Sequence, residues 1–361
     1  RGDLGQVRFE INPSGYVIEN VYDAFGQVVA TNQFPNAVPM GVNYSELSLK
    51  AKVDEKNSQA ELISVVQLIR DGLGQVRFEI DPLGYLKEYQ YNPKGLVIGL
   101  YRYREKLPQD VSTSLVSLSA YVSDESVALN GHSTHYVRDA LGQARFEIDA
   151  QGYISASEYD ANGYIVATTR YSIGLTGSEL EALSAEMAPE YIEEWLSEKS
   201  NVESATTRFI RDALGLVIFE IDALGYVSGS EYDDNMNVVV MNKYDMALTV
   251  SEIEFLNAET TPQLIEGLLL AKEGLSKVTT RYVRDGINQI RFEIDALNYV
   301  TENRYDHQGQ ITETTRYEDP LPVEMTIDVL TIDSYYHETI GWEYLPDSYT
   351  VVNGDLSHSY S

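Results

Sequence analysis

The chain has 361 residues, 43% of them hydrophobic, and carries 56 Asp and Glu against 26 Lys and Arg, a formal net charge of −30. That balance excludes a nucleic-acid partner and docking on anionic lipid, both of which need a basic footprint. No apolar run approaches the ~18 residues of a membrane-spanning helix, and the absence of cysteine removes disulfides, thiolate chemistry and Cys-built zinc sites. Tyrosine is abundant, with 27 copies against 9 Phe and 2 Trp.

Internal self-similarity organises the chain. Five segments share one pattern, opening at Arg1 (RGDLGQVRFEINPSGY), Arg70 (RDGLGQVRFEIDPLGY), Arg138 (RDALGQARFEIDAQGY), Arg211 (RDALGLVIFEIDALGY) and Arg284 (RDGINQIRFEIDALNY). The spacings of 69, 68, 73 and 73 residues predict five repeat units at 1–69, 70–137, 138–210, 211–283 and 284–361. Each has a repeated part of about 34 residues followed by a variable insert.

Within the repeated part, Gln75 to Ile80 alternates, with Val76, Phe78 and Ile80 on one face and Gln75, Arg77 and Glu79 on the other. Period two predicts a half-buried strand. Asp81-Pro82-Leu83-Gly84 is a turn, a second strand runs from Tyr85 to Tyr91, and after Asn92-Pro93-Lys94-Gly95 a third runs to Tyr103. Three strands per repeat are expected. The D-x-x-G motif recurs at Asp139–Gly142, Asp149–Gly152 and Asp160–Gly163, and its Asp and Gly read as turn chemistry. Asn237, Asn288 and Asn298 read as replacements for turn glycines, since Asn is the next best left-handed residue.

Tyrosines mark fixed places. Tyr16, Tyr85, Tyr153, Tyr226 and Tyr299 open the second strand, and Tyr22, Tyr91, Tyr159, Tyr232 and Tyr305 close it. Tyr103, Tyr171, Tyr244 and Tyr317 close the third strand, with Phe34 in the first repeat. Stacked units would turn these into aromatic ladders with hydroxyls at the wet edge; recognition of glycans by exposed tyrosines is the functional alternative. Arg8, Arg77, Arg145 and Arg291 stand two residues before Glu10, Glu79, Glu147 and Glu293, a spacing that predicts a charge ladder. Ile218 before Glu220 breaks it in the fourth repeat, which favours structural pairing over catalysis.

The inserts read as helical. Ser45-Glu46-Leu47 and the stretch from Ala60 to Val66 fit a helical plan in the first. The second, Leu107 to Thr134, is less regular, with His132 and His135 in a loop. In the third and fourth, Ser178 to Glu181 and Ser251 to Glu254 read as capping boxes. Leu180, Leu183 and Met187 follow at helical spacing, and a second helix starts at Pro189 and at Pro262. Helical hairpins are therefore expected in these two inserts. The segment after Glu318 is divergent.

Joining Ser361 to Arg1 continues the pattern, because Tyr360-Ser361-Arg1 would stand where Tyr282-Val283-Arg284 stands in the fifth repeat. The expectation is an excerpt of a longer array, or a building block that continues head to tail.

The motif Tyr-Asp-x-x-Gly followed by a short strand resembles the YD repeat of the RHS family. It is met at Tyr22–Gly26, Tyr159–Gly163 and Tyr305–Gly309, nearly at Tyr91–Gly95, and with Met236 in place of the glycine in the fourth repeat. The resemblance covers about half the chain. It implies a β-sheet spiral, seen in hollow shells around a toxin and in surface or adhesive proteins. Shell-forming members carry a self-cleaving region before a C-terminal toxin, which this sequence does not present.

None of the five histidines sits in a zincin motif, and neither a phosphate loop, a G-x-S-x-G elbow nor an acidic calcium loop appears. No enzyme activity and no cofactor are expected; the acidic surface admits diffuse calcium binding. The fold expected is a repetitive α+β array of YD-type strands stacked as a β-solenoid or spiral with helical-hairpin inserts. The function expected is a structural segment or subunit of an extracellular bacterial filament, sheath or giant surface protein, self-associating head to tail by strand pairing. A glycan-binding adhesin module and part of a toxin-enclosing RHS shell are the alternatives.

Overall fold

The computed structural model describes residues 5–12, 15–34, 37–39, 42–57, 64–124, 127, 131–181, 187–306, 309–339, 349–352 and 355–358. They fall in two compact units, Arg1–Thr206 and Thr207–Ser361. The predicted junction residues Arg1, Tyr360 and Ser361 lie outside the described residues, as do His307 and Leu183.

In the first unit β1 (Phe9–Ile11), β2 (Val17–Tyr22), β3 (Val28–Gln33), β4 (Ser64–Arg70), β5 (Val76–Ile80), β6 (Tyr85–Tyr91), β7 (Val97–Lys106), β8 (Gly131–Arg138), β9 (Ala144–Ile148), β10 (Tyr153–Tyr159) and β11 (Ile165–Gly174) form an antiparallel meander. Each strand pairs with its sequence neighbour. The helices are α1 (Glu46–Asn57), α2 (Leu115–Val122), α3 (Gly177–Glu181) and α4 (Pro189–Glu198). The division falls within β12 (Ser204–Arg211), whose first three residues belong to the first unit, and the second unit repeats the plan with β13 (Val217–Ile221), β14 (Val227–Tyr232), β15 (Val238–Tyr244), β16 (Lys277–Arg284), β17 (Ile290–Ile294), β18 (Val300–Tyr305) and β19 (Ile311–Arg316). Its helices are α5 (Val250–Glu254), α6 (Pro262–Leu270) and α7 (Val329–Thr339), and β20 (Tyr349–Val352) pairs with β21 (Asp355–His358).

A repeat thus uses four strands where three were expected. The extra strand ends at the opening arginine, at Arg70, Arg138, Arg211 and Arg284. Of the Ala60 to Val66 stretch expected to be helical, residues 60–63 lie outside the described residues and Ser64 to Val66 are strand: β-branched Val65, Val66 and Ile69 suit Ser64–Arg70 to a sheet, and it is held on both edges by β3 and β5. His132 and His135 likewise lie in strand β8, opposite Arg102 and Gly99, and not in a loop.

Neighbouring repeats also do not stack face to face. They join edge to edge, through β3·β4 and β7·β8 in the first unit and β15·β16 in the second. The face that stacking would have buried is covered by the repeat's own insert. Phe78, Ile80 and Leu86 pack on Leu118 of α2. Phe146, Ile148 and Ile154 pack on Ile192 and Trp195 of α4. Phe219, Ile221 and Val227 meet Ile265 and Leu269 of α6, and Phe292, Ile294 and Val300 meet Ile332 and Tyr336 of α7. At about 1.5–3 kcal/mol per fully buried side chain, this packing stabilises helices too short to persist alone.

The insert geometry departs from expectation in one detail. The capping boxes are Thr176–Glu179 and Thr249–Glu252, two residues earlier than Ser178–Glu181 and Ser251–Glu254. In each, the glutamate accepts the threonine's own backbone N–H, at 2.7 and 2.6 Å, and donates its N–H back to the threonine hydroxyl. The second helices start at Pro189 and Pro262 as expected. Asp328 in the divergent segment accepts the Thr331 N–H at 2.8 Å and starts α7.

The D-x-x-G turns are three-residue hairpin loops ending in a left-handed residue, with the strand register shifted beside the turns at Arg70, Tyr91, Arg138 and Arg211. Asp71 shows the mechanism. Its carbonyl accepts the Gly74 N–H at 3.0 Å, while its Oδ1 accepts the N–H groups of Leu73 and Gln75 at 2.9 and 3.0 Å. Asn288 and Asn298 hold the left-handed position, at φ 71° and 65°. Asn237 does not. Met236 holds it, at φ 66°, and Asn237 follows it and donates to both Asp233 carboxylate oxygens.

A side chain in the left-handed region carries a steric cost of roughly 1–2 kcal/mol, partly offset by the lower entropy loss of a non-glycine residue. Met236 is mostly exposed, so its removal loses little packing. Met236→Gly is expected to stabilise the second unit by about 1 kcal/mol, read as a higher urea midpoint; a lower midpoint contradicts this account of the turn.

Candidate functional site

The joint between repeats recurs with one set of contacts. The opening arginine spans it. Arg70 donates from Nε and Nη2 to the Val28 carbonyl at 3.2 and 3.0 Å, and from Nη1 to the Gly74 carbonyl at 2.9 Å. Arg138 bonds the Val97 and Gly142 carbonyls at 2.8 and 2.9 Å, and Arg284 those of Val238 and Asn288 at 3.3 and 3.2 Å. One guanidinium therefore fixes its own turn to the preceding repeat, a task suited to a rigid fork of donors. The sequence pattern marked each repeat by this arginine without assigning it a role; its position beside the D-x-x-G turn was the available signal.

The opposite turn is tied to the insert. The N–H of Val38, Leu107, Leu175, Leu248 and Leu321 donates to the carbonyl of Gly15, Gly84, Gly152, Gly225 and Asn298, at 2.8 to 2.9 Å. The approach at Gly152 is so close that a Cβ would stand 2.1 Å from the Leu175 carbonyl oxygen.

The closing tyrosines all make one bond. The hydroxyls of Tyr22, Tyr91, Tyr159, Tyr232 and Tyr305 donate to the carbonyls of Val7, Val76, Ala144, Val217 and Ile290 at 2.7 to 3.0 Å. This bond lies within a repeat, so these hydroxyls point inward and not to a wet edge. The opening tyrosines lie closer to the surface. Tyr153 and Tyr226 are exposed, Tyr85 lies under Lys106 and Tyr299 under Arg316, while Tyr16 is half-buried.

The charge pairs run across neighbouring strands, with other glutamates than those two residues on. Arg8, Arg77 and Arg291 bridge to Glu19, Glu88 and Glu302 on the next strand, at 3.0, 2.8 and 2.6 Å. Of the glutamates expected to pair, Glu10 accepts from Asn20 and Glu79 from Lys87 and the Tyr89 hydroxyl, while Glu147 and Glu293 are exposed. Glu88 and Glu302 are buried and also accept the hydroxyls of Tyr103 and Tyr317, at 2.5 and 2.6 Å. Burial, then the bond to the carboxylate, pushes both phenols well above their ordinary value. Ala156 and Gly229 replace the buried glutamate in the third and fourth repeats. Ile218 replaces the arginine in the fourth, and Arg145 in the third turns to Ser157 and to Glu193 on α4. The third and fourth repeats, which lose the buried glutamate, carry two described helices each in their inserts, α3–α4 and α5–α6.

A cleft of 990 Å³ opens in the first unit between strands β5 to β8 and the start of α4. Tyr101 and His135 line it, their rings edge to face at 5.5 Å. Burial lowers the His135 imidazole, which keeps it neutral at neutral pH. Among the described residues no cluster of three or more acidic or histidine side chains could hold a metal, and no helix is long and apolar enough to cross a membrane.

Two expectations follow from these pairs. Removing Arg77 leaves a buried carboxylate uncompensated, so Arg77→Ala should lower hydrogen-exchange protection of β5 and β6 by about 3 kcal/mol. Arg145→Ala, whose partner Glu193 is half exposed, should lower that of β9 and β10 by under about 1 kcal/mol. Equal losses would refute the assignment. Tyr89, raised to about 12 by burial and then by its bond to Glu79, and Tyr336, raised to about 12 chiefly by burial, stay protonated in the fold after the unfolded chain ionises near pH 10. Unfolding then releases protons, so stability is full below pH 10 and falls as pH rises toward the raised values. Urea midpoints measured across this range should show the fall, less steeply in Tyr89→Phe.

No protein-family model and no curated protein matches the chain. Solved structures with similarity include Tc-toxin components. A crystal structure of TcdB2-TccC3-TEV is 11% identical with a TM-score of 0.38, over 84% of this chain and 13% of that one. A TcdB2-TccC3 structure without the hypervariable C-terminal region is 15% identical with a TM-score of 0.34, over 85% of this chain and 14% of that one. A Photorhabdus luminescens Tc holotoxin pore is 12% identical with a TM-score of 0.37, over 86% and 15%. The chain thus spans less than one sixth of each of these chains.

Proposed function

We propose that the chain is a structural repeat array of the RHS/YD type, five units of about 70 residues, serving as a segment or subunit of an extracellular bacterial filament, sheath or giant surface protein. The observation that carries this reading is the joint. In three places the last strand of a repeat pairs with the first strand of the next, and in each an opening arginine bonds the preceding repeat's backbone. A joint made from backbone pairing and one side chain can be extended without redesign. β19 is the equivalent of the strand that receives the next repeat. Among the described residues it pairs only with β18, and nearly all of its residues are exposed. Its outer edge can take the first strand of a further repeat, whether from a continuing chain or from a second copy. The work is mechanical and needs no catalytic group, and the charge of −30 keeps side-by-side arrays apart.

Electron microscopy of the native material tests this. Fibres, sheaths or surface layers with a regular axial spacing support it. Closed hollow particles would transfer the weight to a cargo shell, and freely dispersed single molecules would overturn the structural reading.

A further inference from the structure

The cleft of the first unit departs from the repeat rule at three residues that touch or pair with one another. At the place of Tyr101 the other repeats carry Asn32, Thr169, Asn242 and Thr315; at that of Gly99, Ala30, Ala167, Val240 and Glu313; at that of His135, Gln67, Arg208 and Arg281. Gly99 pairs with His135 across β7·β8, and the Tyr101 ring stands edge to face on His135. A Cβ on Gly99 would come within 3.1 Å of the Tyr101 ring, so glycine is what leaves the ring its room. Elsewhere the corresponding place serves the joint: Thr169 bonds the Thr206 hydroxyl at 2.9 Å and Asn242 accepts from Thr279 at 2.8 Å. Here that polar contact gives way to an aromatic pair lining a cleft, and local breaks in an otherwise consistent pattern concentrate at functional positions.

The lining chemistry narrows the ligand. Arg77, Lys94 and Arg138 are balanced by Asp71, Asp139 and Glu190. Each cation is already engaged: Arg77 by Glu88, Lys94 by the Ala140 carbonyl, Arg138 by the Val97 and Gly142 carbonyls. Neither an anion nor a cation finds net charge. Beside these charged groups stand the Tyr101–His135 pair, whose imidazole is neutral, two further tyrosines, Tyr91 and Tyr136, and the planar amides of Gln75 and Gln90. Aromatic faces suit the C–H faces of sugar rings, and planar amides suit their hydroxyls. The volume is that of a small-molecule site.

We propose that this cleft binds a short neutral oligosaccharide, with Tyr101 and His135 as its aromatic wall and Gln75 and Gln90 as hydrogen-bonding groups. The assignment goes beyond the structural role and stands without it. The test titrates the full chain with maltotriose, cellotriose, chitotriose and xylotriose, with inorganic phosphate as the anion control, following calorimetric heat and the His135 ring protons. Tyr101→Thr is the informative variant, because threonine occupies this place in two other repeats and so suits the fold. At least one trisaccharide is expected to bind and to shift His135, with affinity falling at least tenfold in Tyr101→Thr and unchanged in Tyr226→Ala, an exposed tyrosine elsewhere. Absence of binding by all four sugars at millimolar concentration, binding that survives Tyr101→Thr, or a response to phosphate alone would each overturn it.

Discussion

The left-handed turn residue is the constraint on which the rest depends. It closes each hairpin in three residues, and the preceding aspartate satisfies the turn's N–H groups with a single carboxylate oxygen. Because loop length sets register, every strand presents its Phe and Ile to the same face, and a one-residue slip would turn them outward. At one end of the strands the turn carbonyl is claimed by the opening arginine, and at the other by the first residue of the insert. The same kind of turn, used at the two ends of the strands, therefore carries the joint to the neighbouring repeat at one end and the anchor of the insert at the other.

Covering is where the repeats diverge. A buried carboxylate on the covered face must be neutralised, and in the second and fifth repeats it is met by both an arginine and a tyrosine hydroxyl. Where alanine or glycine stands instead, the face is more apolar and is covered by a pair of short helices whose tryptophan or leucines fill the space. The fourth repeat has lost the arginine with the glutamate, as expected if either charge alone is costly to bury. The broken charge pattern seen there is thus a complete removal of a pair and not a defect in one.

Edge-to-edge joining gives the array a different character from a face-stacked solenoid. Each repeat owns its hydrophobic core and shares with its neighbour only a strand pairing and a guanidinium. Residues on the joint are under light packing demand, which is why Gly99, Tyr101 and His135 could depart from the pattern without dissolving the repeat.

The amino-acid sequence by itself determined the repeat, its period, the alternation of Phe78 and Ile80, the turn aspartates and the helical hairpins at Pro189 and Pro262, because these are local: each follows from a few neighbouring residues. It left the strand before the opening arginine unread, since Ser64–Arg70 gains its partners only when β3 and β5 flank it. The charge ladder named the arginines but not the glutamates that meet them on the neighbouring strand, because each partner, eleven residues on, becomes adjacent only once the hairpin closes. Asn237 was misread because an asparagine looks like a turn residue, while the three-residue loop counts from Asp233 and lands on Met236. Tertiary structure alone decided that repeats join by edges and are capped by their own inserts, because pairing and covering are relations between distant residues that no local pattern specifies.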